Sequence, residues 1–236
     1  MFQDDVKHVS FFSRSPFAFS LGFTLAEVLI TLGIIGVVAA MTIPALMNDI
    51  QDKELRAKFK KEYSTIANAI TMMNTDYGSP RNAFENKGID CTSGCITDAD
   101  SSEKVRDVFA DYIQNIKKID FTGELYNAGC TGESMKDLNG QNANDANGWD
   151  GVSGIITNDG ACVLIDRPAG GFMIDVNGPK PPNTFGRDLY YIAFDYDTWD
   201  YIKPAGYDSS EIYCGDGSDN DSGWDCATKV MQGIDY

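Results

Sequence analysis

The chain carries its most apolar stretch close to the N-terminus. Residues 28–48 include no charged side chain and read VLITLGIIGVVAAMTIPALMN. As an α-helix, at about 1.5 Å per residue, they would be roughly 31 Å long, enough to cross the hydrocarbon core of a bilayer. The apolar core of a cleavable secretory signal is shorter, about 7 to 15 residues. The pattern therefore predicts a membrane-spanning helix.

An amphipathic pattern continues this helix. Apolar side chains recur at steps of three or four residues, which is typical of one helix face; they are Leu55, Phe59, Tyr63, Ile66, Ile70, Met73 and Tyr77. Gly78 and Pro80 follow, and such residues end helices. We predict one helix over residues 23–77. Its first half, residues 23–48, spans the membrane, and its second half, residues 49–78, packs on a soluble domain formed by residues 79–236.

The soluble domain begins with a second, shorter helix. Asp100-Ser101-Ser102-Glu103 reads as a capping box, and apolar residues follow it at helical spacing, namely Val105, Phe109, Tyr112 and Ile116. Residues 127–151 are rich in Asn, Gly and Asp and poor in apolar residues. We predict an irregular surface loop there.

Strand patterns dominate after residue 151. Residues 154–157 and 161–165 flank the turn Asn158-Asp159-Gly160 and predict a hairpin. Residues 172–176 and 189–194 add two more strands. We expect a small antiparallel sheet of four strands, one face of which covers the second half of the long helix, because neither element is stable alone. The predicted fold class is therefore α+β.

Charge and histidine content exclude several functions. The chain has 19 Lys plus Arg against 35 Asp plus Glu, a formal net charge of −16, so its surface repels phosphate backbones and no nucleic-acid partner is expected. The single histidine, His8, lies near the N-terminus. Ser-His-Asp, Cys-His and His-ligated metal chemistry are thereby excluded from any domain downstream, and we expect no cofactor and no catalytic residues.

The six cysteines all lie in the last two thirds of the chain, at Cys91, Cys95, Cys130, Cys162, Cys214 and Cys226. An even number favours disulfide bonds in a compartment outside the cytoplasm. A zinc site would need four converging thiolates, and only Cys91 and Cys95 form a close pair. We therefore predict disulfides and no metal. The pairing proposed for the first four is Cys91 with Cys95 and Cys130 with Cys162, within a set of fifteen possible connectivities.

The block that leads into the apolar stretch, residues 21–30, reads LGFTLAEVLI. It resembles the N-terminal signal of type IV pilins and type II secretion pseudopilins. The resemblance implies that residues 1–22 are a leader, that a prepilin peptidase cuts between Gly22 and Phe23, and that Phe23 is then N-methylated. It implies that Glu27 directs assembly, that the fold is pilin-like, and that the partners are identical or related pilin subunits and the inner-membrane assembly machinery.

Glu27 also has a physical role that follows from its position. A lone carboxylate in hydrocarbon costs roughly 2.5 to 3.5 kcal/mol, so it needs a partner. Cleavage after Gly22 would free an α-amine on Phe23. That cation on one subunit would neutralise Glu27 of a neighbour in an axially staggered stack. The helix dipole also favours an anion in the first turn.

Two features disagree about orientation. The basic residues that follow the span outnumber Lys7 and Arg14 before it, and the positive-inside rule would then keep the C-terminal domain cytoplasmic; they are Lys53, Arg56, Lys58, Lys60 and Lys61. The cysteines and the cleavage block indicate the opposite side. We give these more weight, because acidic residues interleave with the basic ones, and predict a single-pass protein of the inner membrane with a periplasmic or extracellular C-terminal domain.

The C-terminal region is similar to the disulfide-bounded end of pilins, which implies a bond between Cys214 and Cys226. The loop between them is dense in carboxylates that could hold calcium, namely Asp216, Asp219, Asp221 and Asp225. The EF-hand pattern is incomplete, so we predict a solvated acidic loop. The connector over residues 176–188 is dense in turn formers and is predicted to be structural, with Asn177 and Gly178 in turn conformations.

The leading functional hypothesis is a structural subunit of a type IV pilus-like or type II secretion pseudopilus filament. The alternative is a single-span, membrane-anchored extracytoplasmic protein, either a carboxylate-based enzyme or a glycan-binding adhesin that stacks sugars on Trp149, Trp199 and Trp224. A DNA-uptake pilin is disfavoured by the net charge.

Overall fold

The computed structural model describes residues 22–92, 94–122, 125–143, 152–166, 170–195, 198–209, 213–215 and 222–236. The chain divides into two compact units, Met1–Met47 and Asn48–Tyr236. The class is α+β, as predicted: a long N-terminal apolar helix and a six-stranded antiparallel sheet, a pilin-like layout. The predicted leader, up to residue 21, lies outside the described residues.

The long helix, α1, runs over Leu25–Tyr77, which confirms the predicted continuous helix. Pro44 lies inside it, and helices in membranes tolerate such a residue. Gly78 ends the helix in the left-handed region, with φ +83°, and its amide donates to the carbonyl of Asn74 at 2.9 Å. The helix therefore ends at Tyr77, where Gly78 and Pro80 predicted its end.

In the second unit, α1 buries one face against the domain core. The residues buried on this face are Leu55, Phe59, Glu62, Ile66, Ala69, Ile70 and Met73. Phe59 is fully buried and stacks on Tyr190 of the sheet with ring centroids 4.2 Å apart. The predicted stripe is wrong at its last member, because Tyr77 is 38% exposed. It also omitted a carboxylate, Glu62.

Two helices follow α1. Helix α2 (Pro80–Asn86) was not predicted; Ser79 caps it by accepting the amide of Asn82 at 3.1 Å. Helix α3 (Ala99–Tyr112) was predicted, but its capping box is formed by Asp98 and Ser101, two residues before the expected positions. The helix ends at Tyr112, so the expected continuation to Ile116 is wrong.

The sheet is a meander in which each strand pairs antiparallel with the next along the chain. Its strands are β1 (Asn115–Thr122), β2 (Val152–Thr157), β3 (Cys162–Asp166), β4 (Gly171–Asp175), β5 (Leu189–Phe194) and β6 (Ile202–Pro204). Strands β2 to β5 confirm the predicted ones. Strands β1 and β6 were not predicted, and Ile116, expected on a helix, lies in β1 with its side chain 66% exposed.

Both faces of the sheet are covered, because successive side chains of a strand point to opposite sides. Phe172 and Ile174 of β4 belong to the larger core cluster with α1 and α3, where Phe172 meets Phe109 edge-to-face at 4.8 Å. Met173, between them, belongs to a second cluster on the opposite face. This explains why the central strands read as continuous apolar runs.

The opposite face is covered by a segment predicted as a surface loop. In the described part of residues 127–151, Cys130, Met135 and Ala143 are buried in the second cluster, together with Leu125 just before it. The backbone there forms isolated bridges and turns, so the irregular structure is as expected. Its location is not: it forms a layer over the sheet. A last helix, α4 (Cys226–Gln232), was also not predicted.

Candidate functional site

The predicted processing site lies at the start of the described chain. Gly22 and Phe23 have no helical structure, and the Phe23 side chain is 86% exposed. Leu25 begins α1 two residues after Phe23. Gly22 and Phe23 therefore precede the helix, and cleavage between them stays a prediction.

Glu27 takes part in a capping box at the start of α1. Its Oε2 accepts hydrogen bonds of 2.8 Å from both the amide nitrogen and Oγ1 of Thr24. Thr24 Oγ1 in turn accepts the amide of Glu27 at 3.2 Å. The spacing Thr-x-x-Glu is the signature of this motif, so the sequence carries a signal for the cap that the apolar pattern alone does not reveal.

The apolar stretch after Glu27 is exposed along its whole length. Between Leu25 and Met47, large apolar side chains are 43% to 78% exposed. A side-chain methyl placed on Gly33 or Gly36 would meet no atom within 4 Å. Among the described residues, α1 is the helix that is long enough and apolar enough to cross a membrane. Such a surface is at equilibrium only in lipid or against other apolar helices.

Three disulfides join the six cysteines, and they are the pairs proposed from the sequence: Cys91–Cys95, Cys130–Cys162 and Cys214–Cys226. The first closes a turn between α2 and α3. The second ties the outer layer, residues 125–143, to β3. The third ties the segment before the acidic loop to the start of α4. All six sulfur-bearing side chains are buried, at 4% exposure or less.

The acidic loop lies mostly outside the described residues, which include neither Asp216, Asp219 nor Asp221. Asp225 is buried and accepts the amide of Tyr213 at 3.1 Å, so its carboxylate holds the two sides of the disulfide together. In the described part of the chain, no group of three His, Cys, Asp or Glu side chains could hold a metal ion.

The connector between β4 and β5 is organised by two buried carboxyl groups. Asp188 accepts the amides of Asn183 and Thr184, both at 2.7 Å. Burial raises its pKa to about 6, although these bonds oppose the rise. Burial, and then the nearby charge of Asp188, raise the pKa of Asp175 well above its usual range.

The glycine of this connector adopts the predicted turn conformation. Gly178 has φ +64°, and a side chain on it would lie 3.0 Å from the carbonyl oxygen of Gly160. These contacts give the connector a structural role in holding β4 and β5.

Four of the five basic residues that follow the span, all but Lys60, form ion pairs with acidic neighbours among the described residues. The pairs are Lys53 with Asp49 (2.8 Å), Arg56 with Asp235 (2.7 Å), Lys58 with Glu54 (3.0 Å) and Lys61 with Asp159. Arg187 of the connector also reaches α1, where it binds Asp52 at 2.6 Å. These pairs show how closely the two charge signs interleave on this part of α1.

The tryptophans considered for sugar stacking pack inside the domain. Trp199 stacks on Phe194 at 4.9 Å, and Trp224 stacks on Tyr191 at 4.8 Å. Trp149 lies outside the described residues. Each of the two described indoles therefore packs on an aromatic ring of β5.

Glu62 is a buried carboxylate that the predicted apolar stripe did not include. Its side chain is 1% exposed, on the buried face of α1. Burial is the main reason that its pKa is raised to about 7. A signal existed: steps of four, three and four from Leu55 lead through Phe59 and Glu62 to Ile66, and this regular spacing places position 62 on the buried face.

Comparison with models of protein families, with curated proteins and with solved structures finds no match to this chain. Its function must therefore be inferred from the residues and from their geometry.

Proposed function

We propose that this chain is a structural subunit of a type IV pilus-like or type II secretion pseudopilus filament. It is cut between Gly22 and Phe23, N-methylated on Phe23, and assembled through the first half of α1. The observation that carries the proposal is the exposed apolar surface of residues 25–47, which begins directly after this junction and contains a single carboxylate, Glu27.

The exposed surface supports assembly through α1. Apolar side chains contribute about 25 cal/mol for each Å² removed from water, so the helix must be in lipid or against other helices. In lipid, association is driven by packing, and small residues let helices approach closely. Gly33 and Gly36 offer such positions, because a neighbour meets no side chain there.

The charge of Glu27 supports a defined stagger between subunits. In the described chain its partner is Thr24, whose amide and hydroxyl donors carry no charge. The α-amine that cleavage would free on Phe23 is a cation four residues away along the chain. We propose that Glu27 of one subunit pairs with this amine of a neighbour, and that the pair fixes the axial offset.

The disulfides support the location of the second unit outside the cytoplasm. Three buried disulfides are typical of a protein in an oxidising compartment. The protein would then be single-pass in the inner membrane, with Asn48–Tyr236 periplasmic or extracellular. We favour a secretion pseudopilus over a pilus, since the connector over residues 176–188 resembles the sheet connector of some pseudopilin-like proteins.

The deciding experiment is mass spectrometry of the N-terminus of the full chain, extracted from membranes of cells with and without a prepilin peptidase. We expect Phe23 with one added methyl group when the peptidase is present, and the intact leader in its absence. An intact leader in both strains, or a cut near Ala39, would contradict the proposal and favour a membrane-anchored protein of another class.

A further inference from the structure

A cleft in the second unit lies beside α1, between the end of α3 and the turn that joins β2 to β3. We call it the Glu62 cleft. Its volume is about 440 Å³, and it is lined by Lys61, Glu62, Thr65, Asn68 and Met72 of α1, by Tyr112, Ile113 and Gln114, and by Thr157, Asn158 and Asp159 of the turn.

Glu62 lines this cleft, and in the described part of the chain its carboxylate lacks hydrogen-bond partners. Both of its oxygens are buried, and neither has a hydrogen-bond partner among the described residues. The nearest cation is Lys61, whose Nζ is 3.4 Å from Oε1. A buried carboxylate without hydrogen bonds is costly, so the native cleft has an unmet demand for a proton or a positive charge.

Lys61 cannot meet this demand alone, because it also binds Asp159 across the cleft. The charged side chains that line the cleft are thus one ammonium and two carboxylates. Two nearby cations are engaged elsewhere: Lys58 of α1 pairs with Glu54, and Lys118 of β1 pairs with Asp107. When Glu62 is ionised, the cleft therefore lacks one positive charge.

The remaining groups match the shape of an extended organic cation. Met72 and Ile113 provide apolar surface, while Asn68, Gln114 and Asn158 carry amide oxygens that accept hydrogen bonds. Tyr112 contributes a hydroxyl that donates to Asp76 at 2.8 Å. Ca²⁺ and Mg²⁺ take six or more oxygen ligands, whereas the described residues of the cleft provide two carboxylates, with the Lys61 ammonium between them.

We propose that the Glu62 cleft binds an alkylammonium or guanidinium group, with its charge against the Glu62 carboxylate and its alkyl stem along Met72 and Ile113. Lysine side chains of another protein and free polyamines both carry such a group. Lys61 Nζ occupies the position between Glu62 and Asp159, so the ligand's cation would compete with Lys61 for Glu62. The inference concerns the second unit alone and does not depend on the filament proposal.

Protonation of Glu62 competes with this ligand. Burial raises the pKa of Glu62 to about 7, and the Asp159 charge adds to the rise. Only the ionised form attracts a cation, so the apparent affinity follows the ionised fraction. Between pH 6 and pH 8 this fraction increases about tenfold, and we expect the same increase in affinity.

The test uses the full chain in detergent micelles with ¹³C-methyl-labelled methionine. Putrescine, the peptide acetyl-Ala-Lys-Ala-amide and its Gln analogue are titrated at pH 6 and pH 8, and the methyl signal of Met72 is followed. We expect a saturable shift with a cationic probe that is about tenfold tighter at pH 8, absent with the Gln peptide, and lost in Glu62→Gln. The matched control Glu85→Gln removes an exposed carboxylate of α2 and should bind as the wild type does.

Each outcome decides the proposal. A Glu62-dependent shift with the Lys peptide but not putrescine supports a protein side chain as the ligand, and the reverse result supports a free amine. If neither probe shifts Met72 at pH 8, the proposal is overturned. Should Glu62→Gln fail to fold, the exposed position Lys61 supplies the deciding variant: Lys61→Met removes the ammonium that competes for Glu62, so it should bind the cationic probes more tightly, and unchanged or weaker binding would overturn the proposal.

Discussion

Thr24 and Glu27 cap each other at the start of α1, through reciprocal hydrogen bonds of 2.8 and 3.2 Å. Glu27 therefore has two possible tasks. It satisfies free backbone donors at the helix N-terminus, and it offers an anion to the terminal amine of a neighbouring subunit. Substitutions at these two positions separate the tasks.

Glu27→Gln keeps the cap, because a glutamine oxygen accepts the same hydrogen bonds, but it removes the charge. If pairing with a neighbour's amine drives assembly, Glu27→Gln and Glu27→Val should both lose filaments. Thr24→Val removes the side-chain half of the cap at a cost of about 1 kcal/mol and should still assemble. The measurement is the sheared filament fraction of each strain, by immunoblot.

The control for this series is Glu54→Gln, which removes a carboxylate from a later, exposed position of α1. It should leave the filament yield unchanged. Wild-type yields from Glu27→Gln would show that the cap, and not the charge, is what assembly requires.

Phe59 connects α1 to the sheet, because its ring is fully buried and stacks on Tyr190. We expect Phe59→Ala to lower the free energy of unfolding by about 3–5 kcal/mol, as large-to-small core substitutions do. Tyr77→Ala is the matched control on the same helix. Its ring is 38% exposed, so the loss should be under about 1 kcal/mol. Urea denaturation followed by near-UV circular dichroism measures both.

The disulfides should differ in their contribution according to the length of chain they close. The sequence separations are 32 residues for Cys130–Cys162, 12 for Cys214–Cys226 and 4 for Cys91–Cys95. The chain-entropy relation gives losses of about 4, 3 and 2 kcal/mol, in that order, when each pair is replaced by serines. Unfolding of the three double variants checks the ranking, and the reverse order would contradict the relation for this protein.

The stability of the protein should depend on pH through Glu62. Burial raises its pKa from 4.5 to about 7 in the folded state. Between these values the folded protein holds a proton that the unfolded chain has released, so the free energy of unfolding falls as pH rises. We expect Glu62→Gln to match the wild type at pH 4.5. At pH 8 it should be more stable by on the order of 1–2 kcal/mol, allowing for solvent screening.

Urea titrations at both pH values check this, with Glu85→Gln as the control that should track the wild type. An equal difference between Glu62→Gln and the wild type at pH 4.5 and pH 8 would mean that Glu62 does not titrate in this range.

The sequence predicted the elements whose periodicity is strong. The long helix and strands β2 to β5 follow from apolar spacing alone, because burial on one helix face or on both sheet faces leaves a regular pattern. Strand β1 carries Lys117 and Lys118 in its middle, and β6 has three residues. Neither shows a period, so pairing with a neighbouring strand decides their structure.

The candidate sites also differ in how far the sequence predicts them. Thr24 and Glu27 have a recognisable spacing, and so has Glu62 on its helix face. The Glu62 cleft could not be predicted, because its acidic wall is completed by Asp159, 98 residues further along the chain than Lys61, to which it binds. Likewise, the composition of residues 127–151 indicated a loop, but not that Met135 would cover the second face of the sheet.

The meander order of the sheet has a consequence for how the chain matures. Each strand after β1 hydrogen-bonds to the one that precedes it, so a chain that is synthesised from its N-terminus onwards can add strands one at a time. None of these strands depends on pairing with a strand that is not its neighbour in chain order. Disulfide bonds can form in the same order, because each one joins two cysteines that are consecutive in the sequence. Synthesis from the N-terminus onwards favours such consecutive pairing.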